Sequence, residues 1–266
     1  MDKLIVITWT AFQETLRRRV FYIVALLALL VISAISSEMF FMRMAKKAGE
    51  TDMILNIGRQ IVQGIFGIWD FAVLFLALFL GAIAVSSEIS AKTIVHVMSR
   101  PVQRWVYLVS RWVGILIFLF AFLTIGTMGA LGVSAWLHVP FASTVWFAIA
   151  EVYVRAVFYS GIALGLSVFM PPVLAGVLTF LLSILPAILG SAIHDPRWMY
   201  RLPALIGYYL APAHMPVNLM EESFAKERLH TDYALYVRVL VENLCYTIAV
   251  VLIAAVIFRR REVRVR

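Results

Sequence analysis

Residues 71–87 read FAVLFLALFLGAIAVSS, a run without a charge that is closed by Asp70 on one side and Glu88 on the other. At 1.5 Å per residue it makes about 25 Å of helix, against an apolar bilayer core of about 30 Å. Inside lipid every backbone amide must find its partner within its own segment, so the run reads as a helix and not as a lone strand. The same signature recurs outward along the chain. Val20–Ser37 is uncharged; Trp112–Ala150 is uncharged but interrupted by His138 and Pro140; Ala156–Ile193 is uncharged and divided by Pro171 and Pro172. Asn243–Phe258 closes the series and extends back to Val239 across Glu242. A spanning helix takes about 20 residues. Split on that length, the blocks predict six transmembrane helices at roughly 18–37, 66–87, 110–136, 149–170, 172–193 and 239–258.

Composition agrees. Charged residues are 14% of the 266 and hydrophobic ones 63%. A soluble domain carries about 25% charged residues, so too little polar side chain is present to cover a water-facing globule. That excludes a cytosolic enzyme or nucleic-acid-binding domain as the default, despite the net charge of +8. The first span is read as uncleaved, because it is long, lacks a small-x-small cleavage site and follows an amphipathic stretch.

The basic residues orient the spans. With the N-terminus inside, Lys3, Arg17, Arg18, Arg19, Lys92, Arg100, Arg104, Arg111, Arg259, Arg260, Arg261, Arg264 and Arg266 all fall on the cytoplasmic side, against Asp2, Glu14, Glu88 and Glu262. Arg43, Lys46, Lys47, Arg59, Arg197, Arg201, Lys226, Arg228 and Arg238 fall outside, where neighbouring acids nearly cancel them. Both termini are therefore expected in the cytoplasm, and the positive charge is accounted for by topology without a nucleic-acid partner.

Catalytic and metal motifs are missing. No GxxxxGK[ST] phosphate loop occurs, no GxSxG elbow, no HExxH and no pair of carboxylates deep inside a span. Any ATP used must be bound by another chain. The single cysteine, Cys245, allows no intrachain disulfide or CxxC site and reads as packing in the last span. His96, His138, His194, His214 and His230 are scattered. His214, Met215 and Met220 share one outer loop, where ordinary packing is preferred to a soft-ion site.

Between the spans, residues 3–17 place Leu4, Ile5, Trp9, Phe12 and Leu16 on one helical face, with Thr8, Gln13 and Glu14 elsewhere, before Arg17–Arg19. That is an interfacial elbow helix entering the first span. The link at 86–104 is richer. Ser86 or Ser87 can cap a short helix, and Glu88 and Lys92 pair at i,i+4. Arg100 leaves the α region ahead of Pro101, and Arg104 and Arg111 mark re-entry to the membrane. A cytoplasmic helix here presents Ile94, Val95, Val97 and Met98, either to headgroups or to a soluble partner.

This link carries a family resemblance. Glu88, Thr93, an apolar run, Ser99-x-Pro101-Val102-x-Arg104, Tyr107-Leu108 and Arg111-x-x-Gly114 resemble the type-2 ABC exporter permeases. Lys92 stands where the family usually has Gly, and Arg111 where it has Lys; the first bears on the geometry of the link helix, and the second keeps the charge. The elbow helix, the six spans and the basic tail resemble the same family as architecture. The resemblance implies a transmembrane permease subunit that dimerises with a second protomer and binds cytoplasmic ATPase subunits, with ATP and Mg on those partners and no cofactor or enzyme activity on this chain. It implies a coupling helix in the link, with Glu88, Lys92, Thr93, Val97, Ser99, Pro101 and Arg104 as coupling residues, in a multi-pass protein of a bacterial or archaeal cytoplasmic membrane.

Further candidates come from the spans. Gly126, Gly129 and Gly132 recur every third residue, and Gly161 and Gly165 form a GxxxG beside Ser160 and Ser167. Such positions let helices approach closely, and packing within the subunit is preferred to packing on a partner. Glu151 and Arg155 are expected to form an i,i+4 ion pair near the outer end of their span. Asp70 lies at the outer end of another, and all three are candidate pathway or structural charges because charge inside a membrane carries a cost. The outer loop 194–238 is long, and 198–216 is expected to form a re-entrant segment, a lid over the pathway. A membrane scaffold or assembly subunit, for example in metal-site maturation, and an ion-coupled carrier stand as alternatives; the carrier would need midplane carboxylates or inverted repeats.

Overall fold

The computed structural model describes residues 8–10, 12–13, 51–90, 103–189, 219, 223–224 and 232–260. Over these it is all-helical, with no strand. Five long helices follow one another: α1 (Thr51–Ser90), α2 (Arg104–Trp136), α3 (Val145–Ser167), α4 (Pro172–Leu189) and α5 (Tyr233–Arg260). Four segments are long and apolar enough to cross a membrane: Asn56–Ser86, Arg104–Trp136, Val145–Ser167 and Tyr233–Arg259; the described apolar stretch of α4, Pro172–Leu182, is shorter. The first expected span, 18–37, lies outside the described residues. So do most of the elbow, where Thr8–Thr10, Phe12 and Gln13 are helical, and the segment 198–216.

α1 departs most from expectation. The sequence reading starts this span at 66, yet the helix begins at Thr51 and runs 40 residues, about 60 Å. Nothing in 51–65 stops it: there is no proline, and Ile57, Ile61, Val62 and Ile65 give the stretch a buried side. Arg59, assigned from sequence to an outer connection, therefore sits on a helix, as does Arg238 in α5. At the other end the helix passes straight through Ser86, whose hydroxyl donates to the Ala82 carbonyl at 2.7 Å. The N-cap expected at Ser86 or Ser87 does not form, because that hydroxyl is spent within a helix that continues to Ser90.

Contacts fix the relative directions. Asp70 meets Arg155, and Gly81 meets Ser160–Leu164, so α1 and α3 run the same way. Trp112 bonds Ser160 while Thr124 bonds Tyr153, so α2 runs against α3. Phe147 packs on Tyr233 and Tyr236, and Phe158 on Tyr246, so α5 runs with α3. α4 starts beside Ala82 and Ala163 and supplies the crossing that the chain needs before α5. We call the end where α1 stops and α2 begins the link end, and the opposite one the far end.

α3 is the hub. From Ala156 to Gly165 each residue is buried, against α1, α2 and α5. Backbone approach makes this possible: a Cβ on Gly81 would lie 2.6 Å from the Ser160 carbonyl oxygen, and one on Gly161 would lie 2.7 Å from Thr247 Cγ2. Gly165 faces Ala254 and Val250 of α5. The GxxxG therefore packs inside the subunit. Gly129 and Gly132 have open space around them, and only Gly126 of the three-residue series serves a contact.

The far end is closed by a second apolar cluster of Ile61, Val62, Ile65, Phe66, Ala130, Val139, Val145 and Phe224. Phe224 comes from the long 194–238 segment. Its neighbour Ser223 bonds Thr144 through the two hydroxyls at 3.0 Å and accepts from the Ala142 amide. α2 stops here on a Schellman turn: the Val139 amide donates to the Ser134 carbonyl and the His138 amide to that of Ala135. His138 takes φ 54, a left-handed conformation that costs a non-glycine residue about 1 kcal/mol. At the link end the α3–α4 turn is short, and Leu166 accepts from the amides of Phe169 and Met170.

Two substitutions test this packing. His138→Gly relieves the turn and raises the unfolding midpoint in mild detergent by about 2–4 °C. Gly81→Ala forces α1 off α3 and destabilises by about 1–3 kcal/mol, while Gly129→Ala, inside α2 with nothing beside it, does not lower the midpoint and raises it slightly.

Candidate functional site

The charges inside the spans converge. Arg155 Nη2 lies 3.0 Å from Asp70 Oδ2 across the α1–α3 contact. Its Nε lies 3.7 Å from Glu151 Oε1, one turn earlier on its own helix. The expected Glu151–Arg155 pair is present as the longer of two contacts. The sequence reading considered Asp70 separately; the fold adds it as the closer partner of Arg155. The residues form a triad of two carboxylates and one guanidinium, with a formal charge of −1.

Geometry explains the meeting. Side chains on a helix lean toward its N-terminus, and α3 starts at the far end. Arg155, about 18 Å along the axis from Ser167, thus reaches farward to Asp70, about 24 Å along α1 from Ser86. The triad occupies the far half of the apolar layer. All three side chains are half-buried, Arg155 at 38% exposure and Asp70 at 34%.

Guanidinium offers five N–H donors. In the triad one contact has hydrogen-bond length, and the buried Nε has no acceptor, because 3.7 Å exceeds hydrogen-bond range. The residue before Asp70 packs on α2. Trp69 stacks on Phe122 of α2 with ring centroids 4.4 Å apart, and its ring fills the space that a Cβ on Gly126 would need. Two further polar contacts tie α2 to α3 along the layer: the Trp112 indole N–H donates to Ser160 Oγ at 3.2 Å, and the Thr124 and Tyr153 hydroxyls meet at 2.8 Å. Sequence reasoning missed Trp69, Trp112, Thr124 and Tyr153. A lone aromatic or hydroxyl residue in an apolar span carries no sign of its partner.

The link end holds the other candidates. Glu88 lies on the last turn of α1, and Arg104 is the first residue of α2, after Gln103 as N-cap. Lys92, Thr93, Val97, Ser99 and Pro101 lie outside the described residues. Arg111 donates through Nε to the Tyr107 hydroxyl at 3.4 Å, and its guanidinium lies over the Tyr107 ring at 5.9 Å. Among the described residues no group of three His, Cys, Asp or Glu side chains forms a metal site; His214, Met215 and Met220 fall outside them except as sequence.

These features define a multi-pass, all-helical membrane protein with an ionic triad in its apolar layer and a link between adjacent helices at one end. The chain belongs to the ABC-2 transporter family: the family model described as ABC-2 family transporter protein matches residues 5–263. It is a membrane permease of an ABC transporter. No curated protein matches the sequence.

The triad predicts non-additive stabilities. Arg155→Gln leaves two carboxylates without a cation, Asp70→Asn leaves Arg155 with Glu151 alone, and the double variant leaves only Glu151, so the single effects do not add. Thermal unfolding of the four proteins in a double-mutant cycle should return a coupling of about 0.5–3 kcal/mol between the two positions.

Proposed function

We propose that the chain is the permease subunit of an ABC exporter, driven by a separate cytoplasmic ATPase that docks on the 86–104 link. The observation that carries this reading is the continuity of α1. One uninterrupted helix joins the far-end cluster and Asp70 to Glu88, where the family-like link motif begins, and α2 takes over at Arg104. A displacement imposed on the link enters two spanning helices at once.

In this reading the link end is cytoplasmic. Arg104, Arg111, Arg259 and Arg260 all stand at that end of their helices, as the basic bias of cytoplasmic segments demands. Both termini then lie in the cytoplasm, the membrane is the cytoplasmic one, and the outer loop lies outside. The chain has no phosphate-loop motif, so ATP and Mg belong to the ATPase. Closing of the ATPase dimer on ATP draws the links of two permease protomers together, and the spans change the side from which the pathway opens. Glu88, Lys92, Thr93, Val97, Ser99, Pro101 and Arg104 form the docking surface; Pro101 ends the link helix and sets its angle to α2.

Co-purification tests the proposal. The detergent-extracted chain, co-expressed with a nucleotide-binding ATPase subunit from the same genome, should bring that subunit down. Glu88→Ala with Pro101→Ala should cut its recovery at least tenfold while the permease remains folded by circular dichroism. A wild-type chain that never retains a nucleotide-binding subunit, together with a double variant of unchanged function, overturns the exporter reading.

A further inference from the structure

We propose that Arg155 is the moving part of a latch at the far end of the permease: its guanidinium holds α1 through Asp70 in one arrangement, and transfers to Glu151 on its own helix when α1 moves away.

The geometry points to transfer and away from a fixed brace. A brace between helices is expected to fill its donors, yet Arg155 makes one contact of hydrogen-bond length, to Asp70. Its buried Nε faces Glu151 at 3.7 Å with no acceptor. The second carboxylate is already in place and one short rotation from a bond. Its position is the informative part. Asp70 belongs to α1 and Glu151 to α3, four residues before Arg155, so one partner is lost when the helices separate and the other never is. A guanidinium left alone in an apolar layer is strongly disfavoured. Glu151 removes that obstacle, because Arg155 keeps a counter-charge in both arrangements. The side chain is also 38% exposed, so no tight packing opposes its swing.

The rest of the site supports the direction of movement. Asp70 is carried by the helix that ends at the link, and α1 has no proline to absorb a displacement of Ser90 before it reaches Asp70. α3 is held by α2 through Trp112–Ser160 and Thr124–Tyr153, and by α5 through Gly161 and Gly165. Arg155 therefore stays with the hub, and Asp70 travels as the Trp69–Phe122 ring stack slides. Opening of the latch separates α1 from α3 beneath the cluster of Ile61, Phe66 and Phe224, where an outward-facing pathway would have to part.

The latch rests on the reading that α1 carries motion from the link, and it is tested without the ATPase so that the two can fail separately. The chain carries Cys245→Ser, with spin labels at Gly64→Cys, which has no atom within 4 Å of a built Cβ, and Trp146→Cys, which is exposed. These mark α1 farward of Asp70 and the far end of α3. Labelled chain is diluted into unlabelled chain and placed in phospholipid nanodiscs, and the label separation is read by pulsed dipolar spectroscopy. Asp70→Asn should move the distribution to longer separations, because Arg155 is left with Glu151 alone. Glu151→Gln should move it the other way, depleting the long separation at least threefold, because release from Asp70 no longer has a destination. Arg155→Gln should abolish the difference between the two carboxylate variants. A brace predicts loosening from either carboxylate substitution, so shifts in the same direction overturn the latch, as do unchanged distributions. If Asp70→Asn fails to fold, Glu151→Gln decides alone: a longer or unaltered separation is then the refuting result. Unchanged ATPase binding in the link variants with these shifts intact refutes the docking surface and leaves the latch standing.

Discussion

The contact on which the bundle depends is the approach of α1 to α3 at Gly81. Lipid is as apolar as leucine, so burying apolar side chains gives helices in a membrane little reason to associate. What remains is close packing and polar pairing, and both need backbones near each other. Gly81 supplies that nearness, lying against the Ser160 carbonyl and the Ala163 methyl. Any larger residue would push the helices apart along their shared length. The distance from Asp70 to Arg155 follows from the crossing, as does the small-residue cluster of Ala82, Ala163 and Ala175 that admits the start of α4.

Polar groups on α3 then divide by neighbour and depth. Toward the link end Ser160 accepts from Trp112, farther along Arg155 meets Asp70 and Glu151, and at the same level Tyr153 meets Thr124. Each is an alternative to leaving a donor in an apolar layer, where water cannot substitute. The apolar surface of the helix serves α5 instead, through Gly161, Gly165 and Phe158. One helix thus holds hydroxyl partners on one side, an ionic partner on a second and a smooth seam on a third.

Much of this was legible in the sequence, and the reason is that lipid imposes strong rules. Uncharged runs located helices α1 to α5, and Pro171–Pro172 marked the α3–α4 turn. His138 and Pro140 announced the end of α2, since a Schellman turn needs a left-handed residue and a stop after it. Helix limits were less readable. The start of α1 lay among mixed residues such as Asn56, Arg59 and Gln60, which resemble a water-exposed connection until their buried neighbours Ile61 and Val62 are seen against Phe224. Partners were the least readable part. Glu151 and Arg155 are one turn apart, so their relation is local; Asp70 and Arg155 are 85 positions apart, and only the shared direction of α1 and α3 brings them to one level. The same holds for Trp69 and Gly126.

The close passage at Gly81 has a mechanical corollary. Backbone contact there makes the point on α1 least free to slide, so the helix turns about it as a beam on a fulcrum. Ser90 lies about 14 Å on one side, Asp70 about 16 Å on the other, and Thr51 about 45 Å away. A push of about 2 Å at Ser90 swings Asp70 by a little over 2 Å in the opposite sense, and the first turn of the helix by more than 6 Å, by the ratio of those arms. The long extension of α1 therefore multiplies small strokes: by the ratio of the arms, a displacement at the link end is enlarged about threefold at the first turn of the helix.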